Sequence, residues 1–488
     1  MRERPRVRFA PSPSGDLHVG NVRTALYNWA FARHEHGTFV FRVEDTDRAR
    51  VTEEHIHAAV DILRWLGLDW DEGPEVGGPF GPYRQSERLA LYDEWARTFL
   101  DSGAAYHCYC TPEEVAARAA AAGRPPGYDG HCRELPAAQL ATYHAEGRVP
   151  VVRLRMPPGT TTFEDLIRRE VSFDSAFVPD FVLVRADGMP LYTLAVAVDD
   201  VLMRITHILR GEDLLPSTPR QMAVYRAMGV ALADMPRFGH LPFVLGEGNI
   251  KLSKRNAAAS ISWYRREGFL PEAVVNYLAL LGWSLGEDRE LFSLQEMAGG
   301  FTLDRVNRNP ARFDLKKLEA INGVKIRALD AADFAARILP FLQRAGLVAH
   351  PPSEREARLV RGGAPLVQER IGRLTEAVEM LGFLFVDEPH FAIDEQAAAR
   401  VLQAEARPTL VAAVDALEGL PDWRAGAIEA ALRSALLDGL GLKPKLAFSP
   451  VRVAVTGRTV SPPLFESLEL LGRERTLARL RAAVDALP

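Results

Sequence analysis

The sequence predicts an α/β domain on a parallel sheet, interrupted by an α+β insertion and followed by an all-α region. Three observations predict this. Residues 6–10 and 38–43 read as short strands on either side of a helix, on which Val22, Leu26, Trp29 and Ala30 recur at helical spacing; strand, helix and strand make a βαβ unit. Composition changes after about residue 105, where a Cys-Tyr-Cys segment opens a stretch of mixed strand and helix signals. From about residue 270 to the end the pattern is mainly helical. A chain of 488 residues exceeds what one hydrophobic core supports, so several domains are expected.

The elements follow in order. Residues 53–67 and 86–102 are patterned as amphipathic helices, separated by a turn-rich stretch from Gly73 to Pro82. Within the insertion, an Ala-rich helix spans 112–122, and strands are expected near 149–156 and 180–185. Strand signals resume at 190–197 and 201–208, and a helix runs from Ser217 to Met228. Leu270–Trp283 and Ala311–Ile321 read as the first helices of the C-terminal region, with breaks at Pro351-Pro352 and near Pro421. There is no internal repeat and no low-complexity tail.

Composition excludes some classes. Hydrophobic content of 47% and charge of 25% are those of a soluble globular protein. No apolar run reaches the length of a membrane span, and the first residues lack the apolar core of a signal segment. Three cysteines point to a reducing compartment, so a cytoplasmic protein is expected. A net charge of −5 means that any polyanion must be held by local basic patches.

Two segments carry chemistry. The first is the turn Ala10-Pro11-Ser12-Pro13-Ser14-Gly15-Asp16-Leu17-His18-Val19-Gly20, between strand and helix. Gly15 permits a tight turn, Gly20 permits close approach of a ligand, and free amides at the helix start favour phosphate, with His18 as a further donor. The second is Lys251-Leu252-Ser253-Lys254-Arg255. These are the first two of 7 lysines, whereas 52 of the 59 basic residues are arginine. Lysine is a compact, mobile ammonium where arginine is a planar fork, so a lysine pair in a glycine-flanked loop suggests point charges closing on a phosphate chain. At the end of the second strand, Glu44, Asp45 and Asp47 offer acceptors for an ammonium, a ribose or a metal, or cap the next turn.

Together, R-F-A-P-S-P-S-G-D-L-H-V-G (8–20), R-V-E-D-T-D-R (42–48), G-P-Y-R-Q-S-E-R (81–88), L-R-G-E-D-L-L-P-S-T-P-R-Q (209–221), K-L-S-K-R (251–255) and L-P-E-A-V-V-N-Y-L-A-L-L-G-W (270–283) resemble the class I aminoacyl-tRNA synthetases, specifically the bacterial glutamyl type. The resemblance implies a Rossmann catalytic domain in two pieces, 1–87 and 190–243, split by an acceptor-binding insertion at 88–189. It further implies a stem-contact domain at 244–328 and helical anticodon-binding domains at 329–386 and 387–488. The implied reaction activates L-glutamate with ATP and Mg²⁺ to glutamyl-adenylate, then transfers the glutamyl group to the 3′ end of tRNA(Glu). A monomer is implied, and the first step is expected to need bound tRNA.

The same resemblance assigns His18, Lys251 and Lys254 to catalysis. It assigns Gly20, Asp213, Val244, Ser253 and Arg255, with those three, to ATP. Glutamate falls to Arg8, Ala10, Ser12, Glu44, Tyr192 and Arg210. Bidentate arginine suits a carboxylate and rejects the neutral amide of glutamine. Arg305, Arg308 and Arg312, beside Lys316 and Lys317, are implied tRNA contacts, and Arg370 falls near the position where discriminating relatives reject glutamine anticodons. Cys108, Cys110 and Cys132 match three ligands of the structural zinc of many relatives. Glu134 stands where the fourth, a histidine, is expected, and His131 is adjacent; a zinc site and a set of free thiols both remain open.

Five other readings are weighed against this one. A glutaminyl enzyme would usually show a different first motif and a β-barrel C-terminus, and a non-catalytic RNA-binding protein would have no reason to keep both lysines of the loop. A form that also charges tRNA(Gln) shares all of these motifs. A small-molecule adenylyltransferase shares the H-x-G turn but has no use for the long helical tail or for R-V-E-D-T-D. An enzyme that glutamylates a tRNA nucleoside would lack the chain beyond about Gly323. The lysine argument makes a prediction. Lys254→Arg keeps charge but changes reach and shape, so adenylate formation, measured by ATP–pyrophosphate exchange, should fall steeply while tRNA affinity changes little. Turnover like that of the unaltered protein would show that charge alone suffices.

Overall fold

The computed structural model describes residues 4–47, 50–123, 127–246, 248, 250, 252, 259–286 and 288–487. Lys251, Ser253, Lys254 and Arg255 lie outside the described residues. The chain divides into two compact units, one of residues 1–264 and 274–315, the other of 265–273 and 316–488.

The first unit opens with the expected βαβ. Strands β1 (Arg6–Phe9) and β2 (Thr38–Phe41) pair in parallel, with Arg6 opposite Thr38 and Phe9 opposite Phe41. Helix α1 (Val19–His34) joins them, and Val22, Leu26, Trp29 and Ala30 are all buried. Helices α2 (Glu53–Trp65) and α3 (Leu89–Asp101) follow near the predicted bounds.

The insertion is α+β. It holds β3 (Ala105–Cys108), α4 (Pro112–Ala121), α5 (Ala137–Ala145), β4 (Val151–Leu154), the hairpin β5 (Thr160–Asp165) with β6 (Arg169–Asp174), and β7 (Phe181–Val184). Strands β3, β4 and β7 form one antiparallel sheet in that order.

Of residues 190–197, expected as a strand, Pro190 bridges to Val184 and Leu191 caps a helix, and the rest belong to that helix, α6 (Tyr192–Leu202). The run Leu194-Ala-Val-Ala-Val198 is buried residue by residue, and a continuous apolar run suits a helix packed on several sides as well as a buried strand. The next strand is β8 (His207–Gly211), shorter and later than expected, followed by α7 (Thr218–Ala227) and β9 (Arg237–Leu241). Thr206 ties β8 to β1: its amide donates to the Arg6 carbonyl at 2.9 Å, and its Oγ1 accepts from the Arg6 amide at 2.8 Å. Strand β8 pairs in parallel with β9, so two parallel pairs, β1 with β2 and β8 with β9, are joined through Thr206.

Beyond β10 (Val244–Leu245) lie α8 (Ile261–Arg266), α9 (Pro271–Leu280) and α10 (Leu294–Gly300). The helix expected over Ala311–Ile321 begins later. Ala311–Arg312 forms β11, parallel to β10, because the amides of Ala311 and Phe313 donate to the carbonyls of Phe243 (3.1 Å) and Leu245 (2.8 Å). Helix α11 (Leu315–Arg327) starts only after that ladder.

The second unit is helical, from α11 through α12 (Ala331–Arg344) to the last helix, Arg473–Ala486. Arg479 is buried in it, donating to Glu388 Oε2 at 2.8 Å and to the carbonyls of Val455 (2.8 Å) and Phe383 (3.0 Å). No described helix is long and apolar enough to cross a membrane.

A buried charge cluster holds α6 to the first unit's core. Asp199 accepts from Arg88 Nε at 2.6 Å, Gln85 Nε2 at 2.9 Å and the Tyr92 hydroxyl at 2.8 Å. Removing one partner of a buried pair leaves an uncompensated charge, at a cost of about 3–5 kcal/mol. Asp199→Ala should therefore lower the unfolding free energy of the first unit by an amount of that order, read by denaturant titration of tryptophan fluorescence, and Asp199→Asn by less. An unchanged midpoint would show that Arg88 is satisfied by the Phe80 and Pro82 carbonyls alone.

Candidate active site

The carboxyl ends of β1, β2 and β8 meet at a cleft of about 220 Å³, where an open α/β sheet binds its ligand. Arg8, Ala10, His18, Gly20, Glu44, Tyr192, Arg210, Asp213 and Val244 line it. Ser12 is exposed and lines an adjoining cavity that shares Glu44 and Tyr192. The structure thus brings together every predicted glutamate and ATP residue that it describes. Leu252, within the lysine segment, also lines the cleft, and Ser260, beyond it, pairs with His18 as an isolated β-bridge.

The helix start differs from expectation. The amides of Gly20 and Asn21 are not free: both donate to His18 Nδ1, at 3.1 and 3.3 Å, with His18 as the N-cap of α1. A ring that accepts at Nδ1 carries its proton at Nε2. Gly20 serves this cap. A Cβ there would lie 3.1 Å from His18 Cε1 and press on the ring. Gly15 adopts φ +144°, as the tight turn requires.

Under the cleft lies a set of buried charges that sequence reading did not find. Arg42 is fully buried and donates to Asp200 Oδ1 at 2.9 Å and Glu44 Oε1 at 3.1 Å; Asp200 Oδ1 also accepts from Arg8 Nε at 3.2 Å. The two arginines hold Asp200 below the ordinary carboxylate range against the effect of burial. Glu44 is pushed up to about 7, because burial outweighs the attraction of Arg42 and Arg8. The signals available were Arg42 within R-V-E-D and the pair Asp199-Asp200 closing an apolar run. Asp45, by contrast, is taken up locally, accepting from the Ser86 amide at 2.8 Å and its hydroxyl at 2.7 Å.

Arg210 differs from its neighbours. It is 3% exposed, and among the described residues its hydrogen-bond partners are all neutral. Nε donates to His240 Nε2 (3.0 Å), Nη1 to Gln221 Oε1 (2.7 Å), and Nη2 to Thr218 Oγ1 (2.9 Å) and the Leu214 carbonyl (3.2 Å). Burial and the nearby charge of Arg8 both oppose its ionisation. A buried cation without an acid is costly, and an anion entering the cleft removes that cost. The Tyr192 hydroxyl, whose pKa burial raises, lines the same space.

Elsewhere in the first unit, Arg308 and Arg312 are exposed, and Arg305 donates to the Leu285 carbonyl at 2.9 Å. Arg370 is exposed in the second unit. In the insertion, the sulfurs of Cys108, Cys110 and Cys132 lie within 4.8 Å of one another, but neither Glu134 nor His131 joins them. His131 Nε2 instead lies 3.3 Å from the Tyr143 hydroxyl, and Arg118 donates to Cys110 Sγ at 3.2 Å. Structural zinc requires a closed set of four ligands; the described residues supply three and place a guanidinium against one, so they do not fit that set.

The comparisons agree with this geometry. Residues 5–320 match the family described as tRNA synthetases class I (E and Q), catalytic domain, and residues 333–484 match an anticodon binding domain. The chain is 57% identical to a glutamate–tRNA ligase of a Nocardioides species, over 98% of each chain. It is 58% identical to one of Saccharopolyspora erythraea, over 98% of this chain and 95% of that one. A crystal structure of a glutamate tRNA ligase from Elizabethkingia meningosepticum, in complex with its amino acid, superposes with a TM-score of 0.84 at 32% identity, covering 100% of both chains. With a parallel sheet whose strand ends gather these motifs, and a family match over most of its length, the chain belongs to the class I tRNA synthetases for glutamate and glutamine.

Proposed function

We propose that this protein is a glutamate–tRNA ligase that activates L-glutamate with MgATP and transfers it to tRNA(Glu). Near full-length relatives that bear this name support the reading. So does the hydrogen-bond shell of Arg210, in which every partner is neutral, the observation that carries it on physical grounds. A ligand carboxylate supplies the missing negative charge. The neutral amide of glutamine does not, and would leave the guanidinium uncompensated.

In the first step an oxygen of the α-carboxylate attacks the α-phosphorus of ATP, and pyrophosphate leaves with the bonding pair. Arg210, with Arg8 and Tyr192, holds the side-chain carboxylate, and Glu44 faces the α-ammonium, with Ala10 and Ser12 beside it. The Nε2 proton of His18 points to phosphate oxygen, while Gly20, Asp213 and Val244 shape the nucleotide's seat. Lys251 and Lys254, with Ser253 and Arg255, neutralise charge growing on the leaving group. Magnesium travels with the triphosphate as part of the substrate. In the second step a hydroxyl of the terminal ribose attacks the glutamyl carbonyl, and AMP leaves.

The insertion is taken as the acceptor-end contact, Arg305, Arg308 and Arg312 as stem contacts, and the helical region with Arg370 as the anticodon reader. The same reading includes a monomer acting in the cytoplasm.

Glutamate-dependent ATP–pyrophosphate exchange, with and without tRNA, tests the function. Exchange should require both glutamate and tRNA; exchange supported by glutamine alone would overturn the assignment. The raised pKa of Glu44 adds a pH dependence. An ammonium is held by the ionised carboxylate, which gives way to the acid below about pH 7. KM for glutamate should therefore rise as pH falls from 7 to 5.5, approaching about tenfold per unit, and stay level from 7.5 to 8.5. Glu44→Gln should raise KM and flatten the profile. A flat profile for the unaltered protein would remove Glu44 from ammonium binding.

A further inference from the structure

Arg210 presents its charge to the cleft only if its guanidinium keeps one rotation about the side-chain axis. Four of its five N–H groups go to His240, Gln221, Thr218 and the Leu214 carbonyl, and one on Nη1 remains. The contact that fixes the inner edge of the fork is Nε to His240 Nε2, at 3.0 Å. Thr218 Oγ1, which accepts from Arg210 Nη2, lies 3.3 Å from the same nitrogen and can donate to it. The Arg210 contact requires Nε2 to bear a lone pair, and the Thr218 hydroxyl, which can donate or accept, is compatible with it, so the ring must carry its proton on Nδ1.

A carboxylate enforces that tautomer. His240 Nδ1 lies 2.5 Å from Asp165 Oδ2. Asp165 is itself fixed by backbone: its Oδ1 accepts from the amides of Ile167 (2.9 Å), Arg168 (2.8 Å) and His240 (3.2 Å). Both residues are fully buried. The imidazole is held in plane against Phe238, with ring centroids 6.1 Å apart and 11° between planes. Neither residue is among the lining residues of the cleft, so each acts on a ligand only through Arg210.

We propose that Asp165 and His240 are positioning residues for substrate selection: Asp165 fixes the tautomer of His240, and His240 orients Arg210 so that its remaining N–H faces the carboxylate of glutamate. The inference rests on the reading of the cleft as a glutamate site. It extends that reading to a pair of side chains that touch no substrate.

The test is a pair of substitutions at one position. In His240→Asn the amide reaches the place of Nδ1, keeps a donor for Asp165 and loses the acceptor for Arg210. In His240→Gln the amide oxygen reaches the place of Nε2 and restores that acceptor. For His240→Asn, KM for glutamate in tRNA-dependent exchange should rise about 10- to 100-fold, as for loss of one hydrogen bond to a charged group. KM for ATP should stay within about twofold, and His240→Gln should recover most of the loss; Asp165→Asn, which no longer dictates the tautomer, should follow His240→Asn. Equal damage in both position-240 variants, or a glutamate KM unchanged in His240→Asn, would overturn the proposal. Should the variants fail to fold, ¹⁵N-histidine NMR of the unaltered protein decides it. His240 should be the neutral Nδ1–H tautomer; an Nε2–H ring or an imidazolium would overturn the inference. If the unaltered protein shows no glutamate-dependent exchange, the functional reading fails, and the NMR result still judges the orienting chain.

Discussion

Arg210 carries a full positive charge into a site nearly closed to water, and no acid of the described residues answers it within hydrogen-bond reach. The rest of the pocket depends on this. Arg88 is matched by Asp199, Arg42 by Asp200 and Glu44, and Arg8 by Asp200, whereas Arg23, which lines the same cleft, donates only to the carbonyls of Leu281 and Pro242. Arg210 and Arg23 thus reach the cleft with no carboxylate on their own N–H groups among the described residues. An anion that fits is bound partly by what it relieves, which is why a neutral isostere of the same shape is a poor substitute.

The fold gathers these charges from distant parts of the chain. Arg8 sits on β1, Arg42 and Glu44 at the end of β2, Asp199 and Asp200 on α6, and Arg210 on β8. The parallel strands bring their carboxyl ends to one edge, and α6 ends so that both aspartates face inward. The same edge holds the His18 turn, where the ring accepts from the amides of Gly20 and Asn21 at the start of α1. Recognition and chemistry thus share one boundary of one sheet.

Much of this was legible in the sequence, because motifs carry positions together with residue types. Arg8, Glu44, Tyr192 and Arg210 were named from their segments, and all four line the cleft. What was missed falls into two kinds. The helix at Tyr192–Leu202 was read as a strand because five apolar residues in a row lack the period that separates the two. The pairs Arg42–Asp200 and His240–Asp165 join residues 158 and 75 positions apart, and no local pattern encodes such a partner. The β5–β6 hairpin buries Thr161, Phe163 and Asp165 at a spacing of two, the period of a half-buried strand, but only Phe163 of these is apolar, so the alternation does not show in the sequence.

That hairpin bears on how freely the insertion can be exchanged between proteins. Its turn is stitched into the catalytic half at several points: the Leu166 amide donates to the Phe238 carbonyl at 2.7 Å, Asp165 clasps His240, and Arg168 pairs with Glu212, whose other oxygen accepts the Phe243 amide at 2.7 Å. A graft made at the formal ends of the insertion would therefore carry off part of the pocket's underpinning. A chimera that retained the recipient's own hairpin would not. The natural seam of this module runs inside the insertion, and residues 160–174 belong functionally with the sheet they support.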